Sequence, residues 1–116
     1  MPSRSDSSNG LGVAVGDGIQ AFAVDRAGSG MRVSCTIGSR PGFSRLVIRF
    51  QTDGSTPSTP DAGLPLLDTP VTAGATYRGR HHPLNRGFIC AYTAFGLDDR
   101  GSIRASATAR VWPPAG

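Results

Sequence analysis

The chain is expected to fold as one all-β domain, a single antiparallel β-sandwich of about seven strands. Three observations lead there. First, lysine and glutamate, both good helix formers, are absent: all 12 basic residues are arginine, all 8 acidic ones are aspartate, and 16 glycines and 9 prolines interrupt the rest. Second, short runs alternate apolar and polar residues with a period of two, which is the signature of a half-buried strand. Third, clusters of Gly, Pro, Asp and Ser separate these runs at the spacing of sandwich strands. At 116 residues there is enough chain for one core and too little for two.

Residues 1–10, MPSRSDSSNG, form a polar, serine-rich arm without periodicity, and residues 11–116 make up the sandwich. LGVAV and IQAFAVD are short apolar runs divided by Gly-Asp-Gly, which reads as one broken first strand or as two edge strands. In MRVSCTIG, Met31, Val33, Cys35 and Ile37 share one face, while Arg32, Ser34 and Thr36 share the other. In SRLVIRFQ, Leu46, Ile48 and Phe50 point inward, leaving Arg45, Val47, Arg49 and Gln51 outside.

TDGSTPSTPDAG is too rich in breakers and turn formers for a helix and is expected to be a long loop. LPLLD and VTAGATYRG supply two short strands, the second ending at Tyr77, and residues 78–87, RGRHHPLNRG, form a polar connection. Residues 86–110 then make a long hairpin around the corner LDDRG. Its second strand sets Ile103, Ala105, Ala107, Ala109 and Val111 on one face and Arg104, Ser106, Thr108 and Arg110 on the other. The prolines after Trp112 end it, because neither can donate to a ladder.

These residues resemble the fibronectin type III domains, in particular the bacterial or phage type. LVIRFQTDGSTPSTPDAGLPL is similar to a strand, a Gly-x-x-Pro loop and a following Asp-x-Gly of that family. FICAYTAFGLDDRGSIRASATARV is similar to its penultimate strand, Asp-x-x-Gly turn and last strand. The similarity spans residues 45–111, and residues 1–30 have no counterpart. Cys35 stands where such domains carry a Trp, and Cys90 where an aromatic opens the penultimate strand. The resemblance places these two cysteines in opposite sheets, where immunoglobulin-like domains often carry a disulfide. Two readings stay open, a Cys35–Cys90 bridge or a pair of buried thiols acting as small hydrophobes.

A formal net charge of +4 suits an anionic partner and solubility equally. The all-arginine bias reads equally as a codon effect. No apolar window is long enough to span a membrane, so no membrane insertion is expected, and no signal peptide is seen at the N-terminus. Arg78, Arg80, His81, His82 and Arg86 lie close together in sequence and make a candidate site for an anionic ligand or acidic partner. As metal ligands His81 and His82 are poor, since neighbours in an extended chain point apart, and no metal or other cofactor is expected. Asp98 and Asp99 are assigned to turn capping. Asp53, Asp61 and Asp68 are scattered through loops and reach a common site only by folding.

No catalytic motif appears in a supporting context, so the chain is not expected to be an enzyme and has no catalytic residues to nominate. The few aromatic residues argue against nucleic acid. The expected function is a non-catalytic structural or assembly module with a protein partner or copies of itself. A virion accessory subunit of a phage, a capsid decoration or tail protein, reconciles a surface-acting fold with the unsignalled N-terminus. The alternative is a cytoplasmic or surface module for an anionic ligand, through residues 78–86.

Overall fold

The computed structural model describes residues 9–11, 13–15, 18–27, 30–52, 55–81 and 90–111, and of 9–11, 13–15, 26, 27, 81 and 111 the backbone alone. No helix occurs among them. The strands are β1 (Asn9–Leu11), β2 (Val13–Val15), β3 (Ile19–Ala27), β4 (Gly30–Ile37), β5 (Arg45–Gln51), β6 (Leu64–Pro70), β7 (Thr76–His81), β8 (Cys90–Leu97) and β9 (Ile103–Val111). They form two antiparallel sheets, ordered β1-β3-β4-β7 and β2-β9-β8-β5-β6. Without the two three-residue pieces β1 and β2, the long strands divide three and four, the all-β sandwich expected from the alternation.

The core lies between the sheets. From the first sheet come Phe22, Val24, Met31, Val33, Cys35 and Ile37, and from the second Leu46, Ile48, Phe50, Cys90, Tyr92, Ala94, Ala105, Ala107 and Ala109. The β4 alternation is reproduced, with a buried row on Met31, Val33, Cys35 and Ile37 and an exposed or half-buried row between them. Phe43 plugs one end, and its ring lies so close to Gly96 that a Cβ there would stand 2.6 Å from it. Only glycine leaves space for the ring at that position.

Several local expectations are corrected. The broken first strand is two pieces in two sheets: β1 pairs with β3 and β2 with β9, so the chain crosses from one sheet to the other between them. Asn9 and Gly10, assigned to the arm, pair with Asp25 and Val24, while residues 1–8 lie outside the described residues. VTAGATYRG does not hold a strand ending at Tyr77. Residues 71–75 turn, and β7 starts at Thr76 and continues to His81. LPLLD continues to Pro70, and Asp68, counted among the loop aspartates, lies within this strand.

Two side chains face differently from the expected pattern. Val47 does point outward but is only 5 % exposed. Ile103 leaves the inward row and is 47 % exposed. The pairing shifts between Gly96 and Leu97, so that Gly96 faces Ala105 and Leu97 faces Ile103. One extra residue on β9 therefore turns Ile103 to the outer side, as a bulge does.

Candidate functional site

The outer side of the second sheet is covered. Every residue of β8 from Cys90 to Leu97 is buried, including the outward-pointing Ala91, Thr93, Phe95 and Leu97. Val47, Phe95 and Leu97 form a small apolar cluster there, and residues 55–63 of the long loop fold over the sheet. Outward side chains hold the loop down. The Thr93 hydroxyl donates to the Pro57 carbonyl at 2.9 Å, and the Arg110 guanidinium reaches the Thr56 hydroxyl at 2.9 Å. Arg49 donates to the carbonyls of Asp61, Ala62 and Gly63 at 3.1, 2.9 and 2.8 Å. Pro57 is buried as fully as the core.

Beside this layer, the ends of β5 and β6 and the β8–β9 turn surround a cleft of about 400 Å³, lined by Ser44, Arg45, Asp68, Pro70, Asp98, Asp99 and Gly101. Each of its charged side chains already has a partner within the chain. Arg45 forms a two-armed ion pair with Asp68, one arm at 2.7 Å, and the Arg45 hydrogen bond holds the Asp68 carboxyl below its ordinary range. One Asp98 oxygen accepts from the amides of Ser102 and Arg100, both at 2.9 Å. These bonds, that from Ser102 foremost, hold its carboxyl below the ordinary range, with help from Arg104 at 3.7 Å. Gly101, at φ +83, completes the corner in the left-handed region. Asp99 accepts from the Ser44 hydroxyl at 2.8 Å. Asp98 thus serves the turn as expected, whereas Asp99, also assigned to the turn, ties it to Ser44 instead, and Asp61 contributes its carbonyl to Arg49. Asp53 lies outside the described residues, among which no three His, Cys, Asp or Glu side chains group as metal ligands.

Cys35 on β4 and Cys90 on β8 lie in opposite sheets, as the resemblance implies, and are buried free thiols. Burial pushes the Cys35 thiol up to about 12. Burial also raises Cys90, against a hydrogen bond from the Tyr92 hydroxyl. Neither thiol is a ready nucleophile.

The basic stretch is not a loop where it is described. Arg78, Arg80 and His81 belong to β7, an edge strand paired in unbroken register with β4: Thr76 with Thr36, Tyr77 with Cys35, Arg78 with Ser34, Gly79 with Val33, Arg80 with Arg32 and His81 with Met31. Because opposite residues share a face, Arg78 and Arg80 stand outward beside Arg32, and all three are exposed. Asp25, opposite Arg32 on β3, lies 3.7 Å from it. No described carboxylate pairs with Arg78 or Arg80. His82 and Arg86 lie outside the described residues, as does Trp112. Sequence reading missed Arg32 because the pairing that brings it to Arg80 joins residues far apart in the chain.

No helix among the described residues is long and apolar enough to cross a membrane. Comparison of the chain with protein-family models, with curated proteins and with solved structures finds no match.

Proposed function

We propose that the chain is a non-catalytic module that works through its surface in assembly, as a small structural subunit of a phage or similar particle such as a capsid decoration or tail accessory protein. The division of the long strands into three and four supports the finer, fibronectin type III-like reading. Fold analogy carries the particle, and it is an analogy. The observation that carries assembly is the N-terminal strand pair. β1 and β2 are three residues each and add to β3 of one sheet and β9 of the other through backbone pairing. The arm leading into them can make the same bonds to a neighbouring copy, gaining affinity from backbone hydrogen bonds. Light scattering at low and high salt tests this, with a discrete oligomer or filament expected at both. Removing residues 1–10 should weaken that assembly without unfolding the domain. Unchanged assembly after the deletion sinks the role of the arm, and absence of the chain from purified particles sinks the virion.

The second reading is a module for an anionic ligand or acidic partner through residues 78–86. Arg78 and Arg80 on β7, outward and without a described carboxylate, favour it. It predicts affinity that falls steeply with salt, whereas assembly through backbone bonds responds little.

A further inference from the structure

The two sheets end very differently on the side where β6 and β7 lie. β6 carries Pro65 and Pro70, and its register with β5 shifts between Ile48 and Arg49. Prolines, bulges and charged side chains are the usual devices that stop a further strand from adding to an edge. β7 has no proline or bulge, and its charges, Arg78 and Arg80, repel a basic strand but not an acidic one. It runs six residues in even register, and on the side away from β4 no described strand pairs with it. An edge of this kind presents backbone donors and acceptors at alternate residues.

We propose that the β7 edge docks an extended acidic segment of a partner protein, which adds to the sheet as a further strand. This rests on the reading of residues 78–86 as a site for an acidic partner and names the form that the partner takes. On an added strand, the residues opposite Arg78 and Arg80 are two apart and share their outward face. Carboxylates at those two positions meet both guanidinium groups. They also relieve the Arg80–Arg32 opposition, since like charges directly across a ladder are destabilising. The residue between them sits opposite Gly79 and faces inward, toward the side on which Leu66 packs beneath Gly79. The favoured segment therefore reads acidic, apolar, acidic. A second copy of this chain is a poor occupant, because antiparallel pairing of β7 with itself about Gly79 sets Arg78 against Arg80 twice.

The probe is a short fluorescent peptide alternating Asp with Val, titrated against the full chain by anisotropy, with amide hydrogen exchange read on β7. Binding is expected, with new protection of the β7 amides that point away from β4. Arg78→Ser combined with Arg80→Ser should weaken binding at least about tenfold. N-methylation of the peptide backbone on its ladder side should weaken it by a similar factor at unchanged charge. Equal binding of the N-methylated peptide, or of one with its Asp residues grouped together, overturns strand addition. Inorganic triphosphate separates the two readings. If triphosphate binds in an Arg78- and Arg80-dependent way and the peptide does not, the anion site stands and the docking edge falls; if neither binds, both fall.

Discussion

The outward faces of β4 and β8 follow the same period-two geometry and end in opposite environments. On β4 the outward Arg32 is exposed and Ser34 and Thr36 are half-buried, in a polar face built with Arg78 and Arg80 of β7. On β8 the outward Thr93, Phe95 and Leu97 are as buried as the inward row. The difference lies in what covers them. Residues 55–63 make a third layer over the second sheet, and nothing described does so over the first. Alternation thus reports which face a residue occupies, but burial depends on what that face meets.

Replacing Phe95 by Ala tests this comparison most severely. It should cost about 3 kcal/mol in chemical denaturation, a core-sized penalty on a nominal outer face. A loss near that of a surface substitution would mean that the loop does not seal the sheet. Thr93→Val keeps the shape but leaves the Pro57 carbonyl without its donor, and about 1–2 kcal/mol of stability should go with it. Earlier proteolytic cleavage within residues 55–63 would locate that loss in the loop.

Asp98 gives a smaller, pH-dependent effect. Its carboxyl is held below the ordinary value of 3.8 in the folded chain. The folded state therefore favours the ionised form, and the stabilisation is present above that value and lost as pH falls through the lower folded one. Denaturation of Asp98→Asn across this acid range should show a shallower loss than the parent chain. Smallest of all, Ser34→Ala on the outward face of β4 should change stability by no more than about 0.5 kcal/mol. A cost like that of Thr93→Val would mean that the first sheet is also covered. For the cysteines, denatured protein treated with a thiol reagent should show both groups free and the native protein neither, in keeping with their burial. A bridged pair would stay silent in both.

Much of the fold was legible because its signals are local. The β4 row, the inward row of β5 and the LDDRG corner rest on period-two alternation and turn chemistry, which act between residues a few positions apart. The candidate site was less legible. Arg78 and Arg80 stood out as a basic cluster, but nothing within residues 78–87 distinguishes a loop from an edge strand. Gly79 and the charges around it weaken the strand signal, and pairing with β4 overrides it. Arg49 and Arg110 were legible only as outward-facing and are clamps on a loop, since their acceptors lie in a segment that folds back from elsewhere.

Composition and alternation were enough to specify an all-β chain, the inward rows of β4 and β5 and the final hairpin, because strand preference and turn capping are properties of neighbouring residues. The rest follows from contacts between distant ones. The crossing of the first strand between sheets, the burial of Val47 under a folded-back loop, the turning out of Ile103 by a pairing shift and the meeting of Arg32 with Arg80 depend on which strands lie side by side. Pairing partners are chosen by the packing of the whole core, and a one-residue change in register moves a side chain from one face of a sheet to the other.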